Sequence, residues 1–354
     1  MLTKSPFQYC VPTANQQPFY RRGAATLVCK AVVAETHDTK TFFFEDSRNR
    51  GFDFKPGKYA TFRFHIDGKI YPRAYSLSSS PSRPHNVAIT VKRAPGGTVS
   101  NWLNDNVRPG MEIDILDICG RFNYLDIPSR KPLFLSGGSG ITPVMSMLQF
   151  INDTADRADL VFVHFAKTPQ DIIFRDQLEF IAKRYENVAL RLVVDDDCGD
   201  VGFTGATGVI SASLMRSLVS DLEEREIFMC GPEGFMKAAR AIAPELGVLA
   251  VHEESFGEKV VVEATAEEGG PVTFSLSGMT GECRPGETVL EAALNVGVWI
   301  NSSCQMGACG SCRIKVARGT VRTDDHGGIC NPQDHMAEPG ISGNIPEFVG
   351  KPLI

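Results

Sequence analysis

Hydrophobic and polar positions follow three different rhythms along this chain. From 26 to about 125, short apolar runs at 26–34, 40–45, 59–66, 70–77, 87–92 and 112–116 are broken by turn residues. These turns include Lys55-Pro56-Gly57, Asp67-Gly68, Ala94-Pro95-Gly96-Gly97 and Arg108-Pro109-Gly110. Strands this short and this closely spaced predict an antiparallel β-barrel, interrupted by one helix that starts near Val99 and runs through Trp102 and Leu103. After Pro132 the rhythm changes. Strands are expected at 133–135, 159–165, 188–194 and 226–230, alternating with helices at 142–151, 171–185, 211–219 and 232–243. Such alternation builds a doubly wound parallel α/β sheet. A third rhythm begins at 259, with strands at 259–264 and 272–276, a short helix at 288–296, and then a cluster of cysteines.

These changes divide the 354 residues into a multi-domain chain. Residues 1–23 carry Pro6, Pro12 and Pro18 and read as a flexible extension. The barrel is expected over 24–128, the nucleotide-type sheet over 129–251, a linker over 252–258, and a small α+β domain over 259–354. Apolar residues make up 43% and charged residues 22%, which is ordinary globular usage. The net charge of −6 argues against a nucleic-acid partner, whose backbone would call for a basic surface. No apolar stretch is long enough for a membrane helix, and the N-terminus lacks the pattern of an export signal. The expectation is therefore a cytoplasmic protein whose ten cysteines are reduced thiols or metal ligands.

The most specific chemical signal is Cys304, Cys309 and Cys312, spaced C-x4-C-x2-C with Gly307 and Gly310 between them. Small residues let backbone amides approach ligand sulfurs, and this is the spacing of a plant-type [2Fe–2S] centre. A zinc site usually pairs two C-x2-C units, and a second pair is absent. Two further motifs lie upstream. Arg73, Tyr75 and Ser76 follow an apolar strand and offer a cation, an aromatic face and a hydroxyl, as a flavin requires. Arg73 and Tyr75 share one strand face. The loop Gly96-Gly97-Thr98-Val99-Ser100 enters a helix whose free amides suit a pyrophosphate. Gly137, Gly138, Ser139 and Gly140 form a second glycine turn between strand and helix, followed by Thr142 and Pro143, and again favour a pyrophosphate. Cys230, Gly231 and Pro232 end a neighbouring strand, where Cys230 can sit beside reacting rings. Phe42, Phe43 and Phe44 read as core strand. His37, His65 and His85 read as surface or core residues rather than ligands.

These motifs, in this order, resemble the ferredoxin–NADP reductase superfamily, and more closely its reductases with a C-terminal plant-type ferredoxin domain of β-grasp fold. Those include reductase components of Rieske-type oxygenases and the reductase of hybrid-cluster protein. The resemblance implies FAD, NADH rather than NADPH, and a [2Fe–2S] cluster. Lys167, after the strand at 159–165, keeps NADPH in view. The resemblance further implies flavin contacts from Ile89, Val91 and Lys92 through their backbone, and from Gly97, Val99 and Ser100. Thr142 is implied near both rings. Tyr75, Ser76 and Cys230 take the catalytic positions. The implied partner is a protein electron acceptor of the oxygenase kind. The chain departs from the pattern at one place. Where the family supplies a fourth cluster cysteine, this sequence has Ser342, and the only cysteine after Cys312 is Cys330. Cys330 as ligand, a serine oxygen as ligand, and a labile or lost cluster all stay open, as does a mixed set with His326 or His335. The competing readings are an electron carrier without nucleotide turnover and an NADH:acceptor flavoprotein that has lost its cluster.

Overall fold

The computed structural model describes residues 19–20, 22–256, 269–284, 287–298, 300, 314–318 and 347–350. Its first unit contains β1 (Phe19–Tyr20), β2 (Arg22–Thr36), β3 (Thr39–Asp46), β4 (Gly51–Phe52), β5 (Tyr59–Ile66), β6 (Lys69–Ser76), β7 (Val87–Lys92), α1 (Thr98–Asn106) and β8 (Glu112–Cys119). Six of these strands form an antiparallel sheet in the order β6-β5-β8-β2-β3-β7. A bridge between Leu77 and Ile89 joins its two edges, so the sheet curls into a barrel. Alternation places Leu27, Phe42, Phe44, Phe62, Phe64 and Ile115 inside, all fully buried. The Phe42–Phe44 segment is core strand, as its pattern predicts. Helix α1 lies on β7, where buried Asn104 donates Nδ2–H to the Val91 carbonyl at 3.1 Å.

The second unit runs through β9 (Pro132–Gly137), α2 (Ile141–Asp153), β10 (Leu160–Ala166), α3 (Arg175–Arg184), β11 (Val188–Val194), β12 (Ala206–Thr207), α4 (Ala212–Leu218), β13 (Glu226–Gly231), α5 (Glu233–Leu246) and β14 (Ala250–Ser255). Its six strands are parallel, in the order β12-β11-β10-β9-β13-β14. Strands β9 and β10 are buried at every residue, because helices cover both faces. The chain leaves β9 toward β10 on one side and returns to β13 on the other. The strand order therefore reverses at β9, and a crevice opens between the ends of β9 and β13.

Three sequence expectations are corrected here. Residues 252–255 are not linker but part of edge strand β14, paired in register with β13. Charge and the brevity of the segment hid the strand, because an edge strand keeps one side in solvent. Tyr20 is not loose extension either. It is buried, with its ring 6.0 Å from Phe52 and the Arg50 guanidinium 5.3 Å from its face. Helix α3 also starts later than the pattern suggests, because Pro169 and a left-handed Phe174 precede it.

The third unit pairs β15 (Gly270–Phe274), β16 (Met279–Cys283), β17 (Lys315–Arg318) and β18 (Glu347–Gly350) in the order β16-β15-β18-β17, with α6 (Val289–Asn295) packed on the sheet. A capping box begins α6: Glu291 N–H donates to Thr288 Oγ1 at 3.1 Å, and Thr288 N–H donates to Glu291 Oε2 at 3.0 Å. The expected strand at 259–264 lies outside the described residues. So do Cys304, Cys309, Cys312, Cys330, Ser342, His326 and His335.

Candidate functional site

The barrel meets the parallel sheet at the end of β6. Ser76 is buried there, and its Oγ donates to Glu254 Oε2 at 3.2 Å, linking residues 178 positions apart. Glu254 stands on β14 directly opposite Cys230 on β13, and Cys230 in turn stands opposite Ser136 on β9. The row continues to His164 on β10. Ser76 and Cys230, singled out separately in the sequence, thus converge through a carboxylate that no motif announced. Glu254 was missed because a lone glutamate carries no signal of burial and its segment read as linker.

Burial dominates the electrostatics of this row. It pushes the Glu254 carboxyl up to about 8, offset in part by the Ser76 hydrogen bond. The Cys230 thiol is raised well above its ordinary value by burial, with the Glu254 charge adding to the effect, so it stays a neutral thiol. His164 is pulled down to about 3 by burial, partly offset by Ser136, and is neutral. Its Nδ1 lies 2.8 Å from Ser136 Oγ.

A stability prediction follows from Glu254. Its folded carboxyl binds a proton more tightly than the ordinary value of 4.5. Between that value and about 8 the native state holds a proton that the unfolded chain releases. Stability contributed by this group is therefore lost as pH rises through that window. Glu254→Gln removes the slope. Thermal melts from about pH 5 to about pH 9 should show variant and native protein alike at the acid end. The variant should gain a few kcal/mol at most at the alkaline end. A difference that does not change with pH would contradict the buried-proton account.

The glycine turn between β9 and α2 closes against β13. A Cβ on Gly140 would stand 2.2 Å from the Cys230 carbonyl oxygen and 2.5 Å from Gly231 Cα, so only hydrogen fits. Gly138 has φ +49, and open space lies where its side chain would stand. Ser139 remains half-buried, and its carbonyl accepts from Thr142 Oγ1 at 3.1 Å. Pro232 begins α5 at the other lip of the crevice. Beside it the Phe235 ring packs on Gly137 and Gly231, a further contact that spacing did not reveal. Free amides, open space and a helix start at a topological switch point fit a dinucleotide pyrophosphate.

The barrel motif is laid out in the same way. Arg73 is exposed on β6, and its Nη1–H donates to the Pro72 carbonyl at 2.7 Å. Tyr75 is half-buried, with its ring 6.1 Å from Phe64 and 6.4 Å from Phe62. Burial pushes its phenol up, so it stays neutral. Ile89 and Val91 send their side chains into the core, leaving only backbone toward a ligand. Gly97 caps α1 without a side-chain hydrogen bond, and Val99 is buried behind it. Ser100 Oγ instead accepts the Ala94 amide at 3.1 Å, bracing the loop. An exposed cation, a half-buried aromatic ring and an uncapped helix start fit a flavin dinucleotide.

Comparison with known proteins agrees with this layout. Residues 25–124 match the family described as "Oxidoreductase FAD-binding domain". Residues 134–241 match "Oxidoreductase NAD-binding domain", and residues 272–341 match "2Fe-2S iron-sulfur cluster binding domain". The glycine betaine monooxygenase reductase subunit of Pseudomonas aeruginosa is 38% identical over 328 residues, covering 88% of this chain and 90% of that one. The stachydrine N-demethylase reductase subunit of Rhizobium meliloti is 35% identical, covering 90% and 93%. Among solved structures, phthalate dioxygenase reductase superposes with a TM-score of 0.61 at 23% identity, covering 82% of this chain and 85% of that one, and shares the fold. The chain belongs to the family of ferredoxin-reductase-type oxidoreductases that join an FAD-binding barrel, an NAD-binding sheet and a 2Fe–2S domain in one polypeptide.

Proposed function

We propose that this protein oxidises NADH at the junction of barrel and sheet and delivers the electrons one at a time, through the Cys304, Cys309 and Cys312 cluster, to an oxygenase component. The observation that carries this reading is the Ser76–Glu254–Cys230 junction, which brings the flavin motif to the end of the nucleotide crevice. When bound, FAD accepts electrons as a pair and releases them singly, and the cluster passes them on. The protein's own part is to hold and polarise. Arg73 and the amides of 97–100 hold phosphate charge, and Tyr75 covers one ring face. Gly137, Gly138, Ser139 and Gly140, with Gly231 and Pro232, hold the nucleotide pyrophosphate, and Thr142 fixes the turn. Neutral Cys230 sets the approach of the nicotinamide, because an uncharged thiol neither repels nor hydrates it. Ser76, anchored by its hydrogen bond to Glu254, supplies the hydroxyl oxygen expected beside flavin N5.

The choice of NADH is supported by the surroundings of Lys167. Asp196 donates its amide to the Lys167 carbonyl at 3.1 Å, and Asp195 donates to the Ala166 carbonyl at 3.1 Å. Asp195, Asp196 and Asp197 thus follow β11 beside the end of β10, and their charge would oppose a 2′-phosphate in that region. The oxygenase partner is supported by the relatives, which are reductase subunits of demethylating and monooxygenase systems. Among the described residues no helix is long and apolar enough to cross a membrane. A second reading, NADH:acceptor activity without a working cluster, is favoured by Ser342 standing where the family carries cysteine.

Anaerobic purification followed by a visible spectrum with iron and sulfide counts separates the two. Flavin bands together with cluster absorption are expected, and NADH should bleach them faster than NADPH. Flavin bands alone would favour the second reading. A faster bleach with NADPH would overturn the choice of donor.

A further inference from the structure

Barrel and sheet also touch away from Ser76 and Glu254. The loop after β10 runs from Lys167 to Phe174 and then enters α3. It leaves the C-terminal end of the strand beside the glycine turn, so it flanks the half of a dinucleotide that extends from pyrophosphate to adenosine. Within the loop, Asp171 Oδ2 accepts from Thr168 Oγ1 at 2.8 Å. Its Oδ1 faces the barrel, where Lys92 Nζ lies 3.7 Å away and His37 Nδ1 3.9 Å away. Lys92 also holds Asp38 at 3.1 Å. The Asp171 side chain is only 13% exposed, which limits screening by salt. His37, Asp38 and Asp171 are near enough to one another to share a cation, and the Lys92 ammonium supplies that charge from within the chain.

The far end of the loop is gripped too. Phe174 has φ 62, a left-handed conformation that is uncommon for a bulky residue. Its backbone amide meets the carboxylate of Glu35 on β2, which also accepts from Thr41 Oγ1 at 2.6 Å. The hydroxyls of Thr41 and Thr90 lie 2.8 Å apart, and those of Thr90 and Ser78 lie 2.9 Å apart. This buried chain ends two residues past Ser76.

We propose that Asp171, paired with Lys92, is a positioning residue for the nucleotide: it locks the 167–174 loop onto the barrel, so that the adenosine half finds an ordered seat. The proposal rests on the dinucleotide reading of the glycine turn. A loop ordered in advance costs the ligand less entropy on binding. Because the reacting ring lies at the other end of the crevice, loosening the loop weakens binding and leaves the reaction rate of the bound complex largely intact.

The test uses the full FAD-loaded chain. Asp171→Asn keeps an acceptor for Thr168 and removes only the charge, and Lys92→Met removes the partner. Titration with NAD+ should give a Kd about fivefold higher for each variant, and the double variant should be no worse than either single. KM for NADH should rise in parallel, and in D171N the limiting rate of flavin reduction should stay within about twofold. Backbone amides of 172–176 should exchange faster with solvent in D171N. Native-like NAD+ affinity in D171N, additive losses in the double variant, or a fall in limiting rate at unchanged KM would each overturn the clamp alone. Native protein that ignores NAD+ would overturn the nucleotide reading along with it.

Discussion

Replacing Gly140 with alanine should lower NAD+ affinity and NADH-driven flavin reduction by about a hundredfold, because a displacement near 1 Å at a positioning element is enough for a loss of that size. The new methyl carbon would stand 2.2 Å from the Cys230 carbonyl oxygen and 2.4 Å from the carbonyl carbon. Both atoms are backbone, so no side chain can swing away. Strand β13 must part from the turn, and the turn amides then lose their aim at the pyrophosphate. Cys230 moves with the same strand, so the reacting end of the crevice is disturbed together with the binding end. Overpacking of this kind also lowers stability, by about 1–3 kcal/mol. Calorimetric titration with NAD+ and a thermal melt measure the two effects separately. NAD+ affinity within about twofold of native would show that the turn does not carry the nucleotide.

The second large effect is expected at the cysteines. Cys309→Ser should abolish cluster absorption and reduce electron delivery to a one-electron protein acceptor to background. NADH-driven reduction of ferricyanide should persist, because that small acceptor draws electrons directly at the flavin. The physical cause is ligand chemistry: a thiolate is a soft donor matched to iron–sulfur bonding, whereas a serine hydroxyl holds its proton and bonds iron poorly. The same measurement on Cys330→Ser decides the fourth ligand. Loss of cluster absorption assigns Cys330, and an unchanged spectrum excludes it. Retained cluster absorption in Cys309→Ser would overturn the reading of the C-x4-C-x2-C segment.

What the sequence determined by itself is whatever short-range stereochemistry imposes. The barrel strands, the parallel strands and both glycine loops were legible because turn residues and side-chain periodicity act over a few residues. The cysteine spacing was legible for the same reason, since Cys304, Cys309 and Cys312 fall within nine residues of sequence. The tertiary structure alone decided the rest. Glu254 gained its place at Ser76 by a contact across 178 residues, and β14 became a strand only because β13 offered it an edge. Asp171 lies far from Lys92 in sequence, yet the two meet where the loop after β10 closes on the barrel. A carboxylate's role depends on which distant surfaces enclose it, and burial sets both its proton affinity and its partners. No local pattern encodes those surfaces, so only the folded chain could assign these residues.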